Sequence, residues 1–184
     1  MALEWLWIGL VVLVVILILY FFSAVNRFTR YGNAIDNAWA QIDVQLQRRG
    51  DLIPNLIETV KGYAAHEKGV FTAVSNARAA MIGAKSPQEK MAASGILDQA
   101  LGKLFAISEA YPELKANTNF LQLQDELSHT ENTIAFSRQN YNDSVLRYNN
   151  AIQTYPGKWF AGSRTTRQML AVPEASKAVP KVAF

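Results

Sequence analysis

Apolar residues recur along residues 35–81 at alternating spacings of three and four: Ile35, Trp39, Ile42, Leu46, Ile53, Leu56, Val60, Tyr63, Val70, Val74, Ala77 and Met81, with Arg49 and Glu67 as the charged members. A repeat averaging three and a half residues keeps one stripe of a helix turned toward a partner, the condition for bundle or coiled-coil packing. Arg49 and Glu67 are either polar contacts that set the register or places where the seam opens to water. A second seam of the same kind comprises Phe120, Leu123, Leu127, Thr130, Ile134, Tyr141, Val145, Tyr148 and Ile152. Between them, Ser86-Pro87-Gln88-Glu89 is a capping box that starts a helix at Pro87, with serine at the N-cap, proline at the first helical position and glutamate at the third. That helix carries Met91, Ile96, Leu97, Leu101, Leu104, Phe105 and Ile107 to about Glu109, and ends before Tyr111-Pro112 because the residue preceding a proline is pushed out of helical geometry. The next opens near Asn117 or Thr118 as cap and runs to Tyr155-Pro156-Gly157. No stretch alternates with a period of two, so the fold class is all-α.

Residues 5–25 carry no charge, and about 21 residues at 1.5 Å each give roughly 31 Å, the thickness of a hydrocarbon core. A secretory signal would have a basic residue before the apolar run and small residues at its end, whereas none of residues 1–4 is Lys or Arg and Ser23-Ala24-Val25 is a poor cleavage site. The segment therefore reads as a retained transmembrane helix. Trp5 and Trp7 at one end and Tyr20, Phe21 and Phe22 at the other suit aromatic belts, and Arg27 and Arg30 follow the span. The positive-inside bias then puts the N-terminus outside and the larger part of the chain in the cytoplasm.

Within the first seam, Arg48-Arg49-Gly50-Asp51-Leu52-Ile53-Pro54 places basic residues, a glycine, a capping Asp and a proline in the order of a helix end followed by a new start. Leu46, Arg49, Ile53 and Leu56 nevertheless keep phase across it, as a kinked continuous helix requires. A reversal gives an antiparallel up-and-down bundle of four long helices, the favoured reading, and returns Lys158-Trp159-Phe160, followed by Arg164 and Arg167, to the headgroups. A kinked rod leaves three helices after the anchor and takes Trp159 far from the bilayer. The resulting division is an anchor over 1–30, a helical bundle over 31–157, and an extended or disordered tail over 158–184, whose Ala/Val/Pro/Lys-rich end is the one low-complexity stretch.

A chain of 184 residues with net charge +3 accommodates one anchor and one domain, and that charge is too small to argue for nucleic acid. The absence of cysteine removes disulfides, thiol nucleophiles and cysteine-ligated metals. His66-Glu67 begins like a zinc-protease motif, but the second histidine of that motif would fall at Val70. His129 lies among Ser128, Thr130 and Glu131 as a solvated helical residue would, and no third group completes a triad. Neither a catalytic residue nor a metal or cofactor site is predicted. Asp43, Arg48, Arg49, Asp51 and Lys61 form a charged cluster that either pairs along its helix on a solvated face, the favoured reading, or meets a partner. Tyr141, Asn142, Tyr148 and Asn149, with Asn140, Asn150 and Tyr155, combine aromatic area with amides, which suits an interface or a wet bundle core equally.

Several blocks together resemble the bacterial LemA family: Ala38-Trp39, Ile42-Asp43-Val44-Gln45-Leu46, Arg48-Arg49, Asp51-Leu52-Ile53-Pro54-Asn55-Leu56, Thr59-Val60-Lys61-Gly62-Tyr63-Ala64 and His66-Glu67. Tyr111-Pro112, Leu114-Lys115-Ala116-Asn117, Asn119-Phe120, Leu123-Gln124, Thr130-Glu131, Arg138, Tyr141-Asn142, Val145 and Tyr148-Asn149 extend the likeness over nearly the whole chain. The resemblance implies one N-terminal span and an antiparallel helical bundle on the cytoplasmic side of the bacterial inner membrane. Residues 162–168 depart from it, where the family has a more aromatic stretch. The expected function is a non-enzymatic scaffold that binds membrane lipid, self-associates and supports or shapes the membrane. The alternative is an adaptor for a membrane-protein partner such as a protease or an envelope-stress system.

Overall fold

A computed structural model describes residues 2–171, and among them every regular element is helical. The elements are α1 (Ala2–Lys61), α2 (Lys68–Gly83), α3 (Pro87–Ser108), the single turn α4 (Pro112–Lys115), α5 (Thr118–Gln153) and a 3₁₀ turn (Gly157–Phe160). The described residues divide into two compact units, one of residues 2–38 with 140–169 and one of residues 39–139 with 170 and 171. The tail predicted over 158–184 lies outside the described residues beyond position 171.

In the first unit α1 is apolar and exposed on every side from Trp5 to Leu19, which makes it a candidate membrane span by length and composition. Its buried stripe starts at Ala24 and Phe28 and continues through Ile35 and Ala38, and α5 supplies Tyr141, Val145, Tyr148 and Ile152. The two run antiparallel: Phe28 lies against Gly157, while Asp36 is near enough to Tyr141 to act on its hydroxyl. Gly157 is required there, because a Cβ would stand 2.1 Å from the Ala151 carbonyl oxygen. After the 3₁₀ turn the chain leaves helical geometry through Gly162, whose φ of +59° is the left-handed region that favours glycine.

In the second unit the seam of α1 is buried at Ile42, Leu46, Arg49, Ile53, Leu56 and Val60, with Ile57 beside it. Val74, Ala77 and Met81 of α2, Leu97, Leu101 and Leu104 of α3, Leu114 of α4, and Phe120, Leu127 and Ile134 of α5 complete that core. Each Leu, Ile, Val, Phe or Met side chain among them is worth about 1.5–3 kcal/mol on burial. The capping box forms as predicted, with Glu89 N–H donating to Ser86 Oγ and Ser86 N–H to the Glu89 carboxylate, both at 3.2 Å. Asn117 caps α5 by accepting from Phe120 N–H at 3.0 Å.

Two expectations are corrected. The chain does not reverse at residues 50–54: α1 continues through Pro54 and ends at Lys61, and the break comes at residues 62–67. Pro54 lacks the N–H that would bond the Gly50 carbonyl, and Arg78 Nε of α2 donates to that carbonyl instead at 2.6 Å. Gly50 is there because α2 approaches closely, a Cβ at that position falling 3.2 Å from Ile82 Cδ1. The seam, read as unbroken over 35–81, therefore fails at the turn, where Tyr63 is exposed and Ala64 and Phe71 are buried in its place. Four long helical segments still follow the span, because α2 is a separate helix. Ile96, one of the apolar residues that α3 carries, is 58% exposed, since the small residues Ala93 and Ser94 take the inner face.

Candidate functional site

At the end of the apolar helix, the 3₁₀ turn seats Phe160 against Tyr20 and Phe21, with ring centroids 5.4 and 6.0 Å apart. This overturns the expectation that a helix continuing through Pro54 would carry residues 158–160 away from the span. Trp159 and Tyr155, 72% and 65% exposed, stack edge to face at 5.2 Å, and Lys158 Nζ lies 5.7 Å over the Tyr155 ring. The Arg164 guanidinium stands 5.4 Å over Phe28. Arg30 is exposed, and Arg27 is half-buried with an Nε that no described group bonds. Trp5 and Trp7, at the far end of the apolar run, are exposed.

The amide-and-tyrosine segment of the same unit holds the chain's own C-terminal stretch. Asn149 Nδ2 donates to the Arg167 carbonyl and Asn149 Oδ1 accepts from Arg167 N–H, both at 2.9 Å. Tyr141 is buried and its hydroxyl donates to the Gln168 carbonyl at 3.4 Å. Burial pushes that hydroxyl above the ordinary phenol range, with Arg167 opposing the rise and Asp36 adding to it. Tyr148 is buried and Asn142 half-buried. Tyr141 and Asn149, which suit an interface or a wet bundle core equally by their chemistry, thus bond an extended segment of their own unit, a role their spacing could not reveal.

In the second unit the charged cluster splits. Asp51 accepts from Gln47 one turn away at 3.0 Å, and Lys61 pairs with Glu58 at 2.9 Å, so these two follow the intrahelical reading. Asp43, Arg48 and Arg49 do not: they reach other helices, because the seam turns them toward α3 and α5. Asp43 pairs with Lys90 of α3, and Arg48 lies 3.6 Å from Glu126 of α5. Arg49 is 4% exposed, pairs with Asp98 of α3 and with Glu131 of α5 at 2.6 Å, and donates to Ser94 Oγ at 3.3 Å. One buried cation between two carboxylates ties three helices in register, and of the two readings of Arg49 this is the register-setting one. Glu67, by contrast, is half-buried at the N-cap of α2 where the seam opens.

The same unit carries exposed apolar side chains that the seam assignment missed. Val44 is 63% and Phe136 74% exposed. Ala40, Gln41, Val44 and Gln45 of α1 and Thr133 and Ser137 of α5 line an open groove of about 370 Å³. The legible signal was phase: Val44 and Phe136 each stand two residues past a seam position, Ile42 and Ile134, on the side that a heptad leaves to water.

Residues 38–184 match the LemA family. The magnetosome protein MamQ of Magnetospirillum gryphiswaldense is 25% identical, over 83% of this chain and 66% of that protein. Magnetosome protein MamQ 2 of Paramagnetospirillum magneticum is 25% identical over 74% of this chain and 60% of that one. Protein LemA of Metamycoplasma hominis is 28% identical over 71% of this chain and 60% of its own length. This chain thus spans less than two thirds of the length of these relatives.

Proposed function

The chain belongs to the LemA family, and on that premise we propose that it is a membrane-anchored, non-enzymatic helical scaffold whose copies associate through the bundle. The observation that carries the proposal is the exposure of two large apolar side chains of one unit, Val44, which lines the groove between α1 and α5, and Phe136 of α5. A Phe left three-quarters in water forgoes about 1.5–3 kcal/mol of burial, which a second copy recovers. Confinement by one span raises the local concentration of copies, so weak side-to-side contacts suffice for assembly. The ionic core around Arg49 favours the same reading, because its cation is already compensated by two carboxylates and the network holds helices in place.

The test is size and shape in mild detergent. The native chain should form a large homogeneous assembly, and Val44→Glu with Phe136→Glu should reduce it to smaller species at unchanged helix content. A monomer that co-purifies with a different protein would overturn self-association and favour an adaptor for a membrane partner. Orientation is part of the proposal: with Arg27 and Arg30 beyond the span, a reporter fused after Phe184 should be active on the cytoplasmic side, and removal of both arginines with lysines added before Trp5 should weaken or invert that. A reporter active only outside would refute the placement.

A further inference from the structure

We infer that the turn of residues 155–164 is a second membrane contact, an aromatic and cationic foot that beds into the headgroup layer of an anionic bilayer. The inference rests on the reading of α1 as a span. Its starting point is the seat of Phe160 on Tyr20 and Phe21, which fixes the turn at the level where the apolar run gives way to Arg27 and Arg30. At that level Trp159 and Tyr155 turn outward and are the two most exposed aromatic rings between residues 140 and 169. An amphipathic ring at the edge of a hydrocarbon layer gains by placing its face among acyl carbonyls and its polar atom toward water, which is the physics of the interfacial belt.

Charge agrees with that placement. Residues 151–169 contain Lys158, Arg164 and Arg167 and no Asp or Glu, and residues 20–35 contain Arg27 and Arg30 and no acid. Lys158 and Arg164 are exposed, each over an aromatic ring that holds its charge beside the turn. The occupant is therefore anionic lipid: an apolar partner protein would leave these cations unpaired, and a zwitterionic surface would attract them weakly. Gly157 keeps the turn tight, because any side chain there meets the Ala151 carbonyl. The function gained is a two-point attachment, by the span and by the foot, which restrains the tilt and rotation of this unit at the membrane surface.

The experiment uses the full chain in vesicles, with Trp5, Trp7 and Trp39 replaced by Phe so that Trp159 alone reports. In phosphatidylcholine containing phosphatidylglycerol, a nitroxide on the headgroup should quench Trp159 more than one deep in the acyl chains. Omission of phosphatidylglycerol, Lys158→Glu or Arg164→Gln should each lower the fraction docked, by about fivefold per cation lost near the surface. A companion variant that keeps only Trp7 reports the span. Quenching of Trp7 without quenching of Trp159 would overturn the foot and leave the span standing, whereas a folded protein in which neither is quenched would remove both. Quenching of Trp159 that ignores lipid charge and both substitutions would also overturn the foot.

Discussion

Pro54 deprives the Gly50 carbonyl of its helical donor, and Arg78 Nε supplies the missing bond at 2.6 Å from the next helix. If that exchange is what lets α1 pass through a proline, Arg78 and Pro54 must be energetically coupled. Arg78→Met keeps the aliphatic stem but leaves a buried carbonyl with no donor. A bond to a charged donor contributes about 1.5–3 kcal/mol, and Arg78 is only half-buried, so the loss should be about 2 kcal/mol. For a chain of this size that is roughly 4–8 °C in Tm. In a Pro54→Ala background the N–H of residue 54 recovers the Gly50 carbonyl, and Arg78→Met should then cost only its lost packing, about 0.5 kcal/mol. The cycle measured by helix content against temperature or urea, on the full chain in detergent, should give a coupling of roughly 1.5 kcal/mol. Equal losses in both backgrounds would refute the account of the kink and leave the continuity of α1 unexplained.

Arg49→Met removes the one cation between Asp98 and Glu131. Both carboxylates are about two-fifths exposed and rehydrate in part, so the loss should be near the lower end for a broken buried pair, about 3 kcal/mol, while Arg48→Met at the exposed pair should change stability by less than about 0.5 kcal/mol. Equal effects in urea titrations would contradict the register role of Arg49. Val60→Asp or Leu127→Asp buries an unpaired charge at a site no more than 3% exposed and should cost several kcal/mol, enough to unfold the chain by circular dichroism, whereas Gln47→Asp on the outer face, which exchanges an exposed bond to Asp51 for a like-charge pair, should cost less than about 1 kcal/mol. Because the folded-state pKa of Tyr141 is raised above its unfolded value, its contribution to stability is full below the ordinary phenol pKa and is lost as pH rises through the folded value. Tyr141→Phe should remove that alkaline component of the unfolding curve, and an unchanged alkaline slope would show that the hydroxyl stays neutral in neither state or both.

The helices were legible where periodicity and capping spoke together. Ser86-Pro87-Gln88-Glu89 starts α3 by a local reaction of side chain with backbone, and a local signal suffices for a local event. The seam of α5 was legible for the same reason, since Phe120, Leu127, Thr130, Ile134, Tyr141, Val145, Tyr148 and Ile152 are buried and Leu123 is half-buried. Arg48-Arg49-Gly50-Asp51-Leu52-Ile53-Pro54 carries every local mark of a helix end, and those marks lost to two partners outside the segment. One is Arg78, twenty-eight residues from Gly50, which satisfies the orphaned carbonyl. The other is the Asp98–Glu131 pair on α3 and α5, which turns Arg49 from a last-turn cation into a core residue. The true end of α1, by contrast, announces itself weakly: Gly62 stands next to Tyr63, which continues the three-four spacing but lies in the turn.

The surfaces on which the proposed function rests were the least legible, and for a single physical reason. A heptad reading sorts residues into those that face a partner helix and those that face water, and it has no third class for a side chain that faces another copy or a lipid. Val44 and Phe136 were therefore left to water, although both are large, apolar and exposed and Val44 lines the groove. The amides and tyrosines of α5 suit an interface or a wet bundle core equally by their chemistry, and two of them, Tyr141 and Asn149, bond residues 167–168 of the same chain. Once Tyr141 and Asn149 are committed inward, Tyr155 and Trp159 are the aromatic residues of residues 140–169 left facing outward, and they stand where Phe160 meets the end of the apolar helix. The composition that suits an interface or a wet core thus separates into an internal clasp and an outward-facing aromatic pair, which sequence spacing alone reads as one pattern.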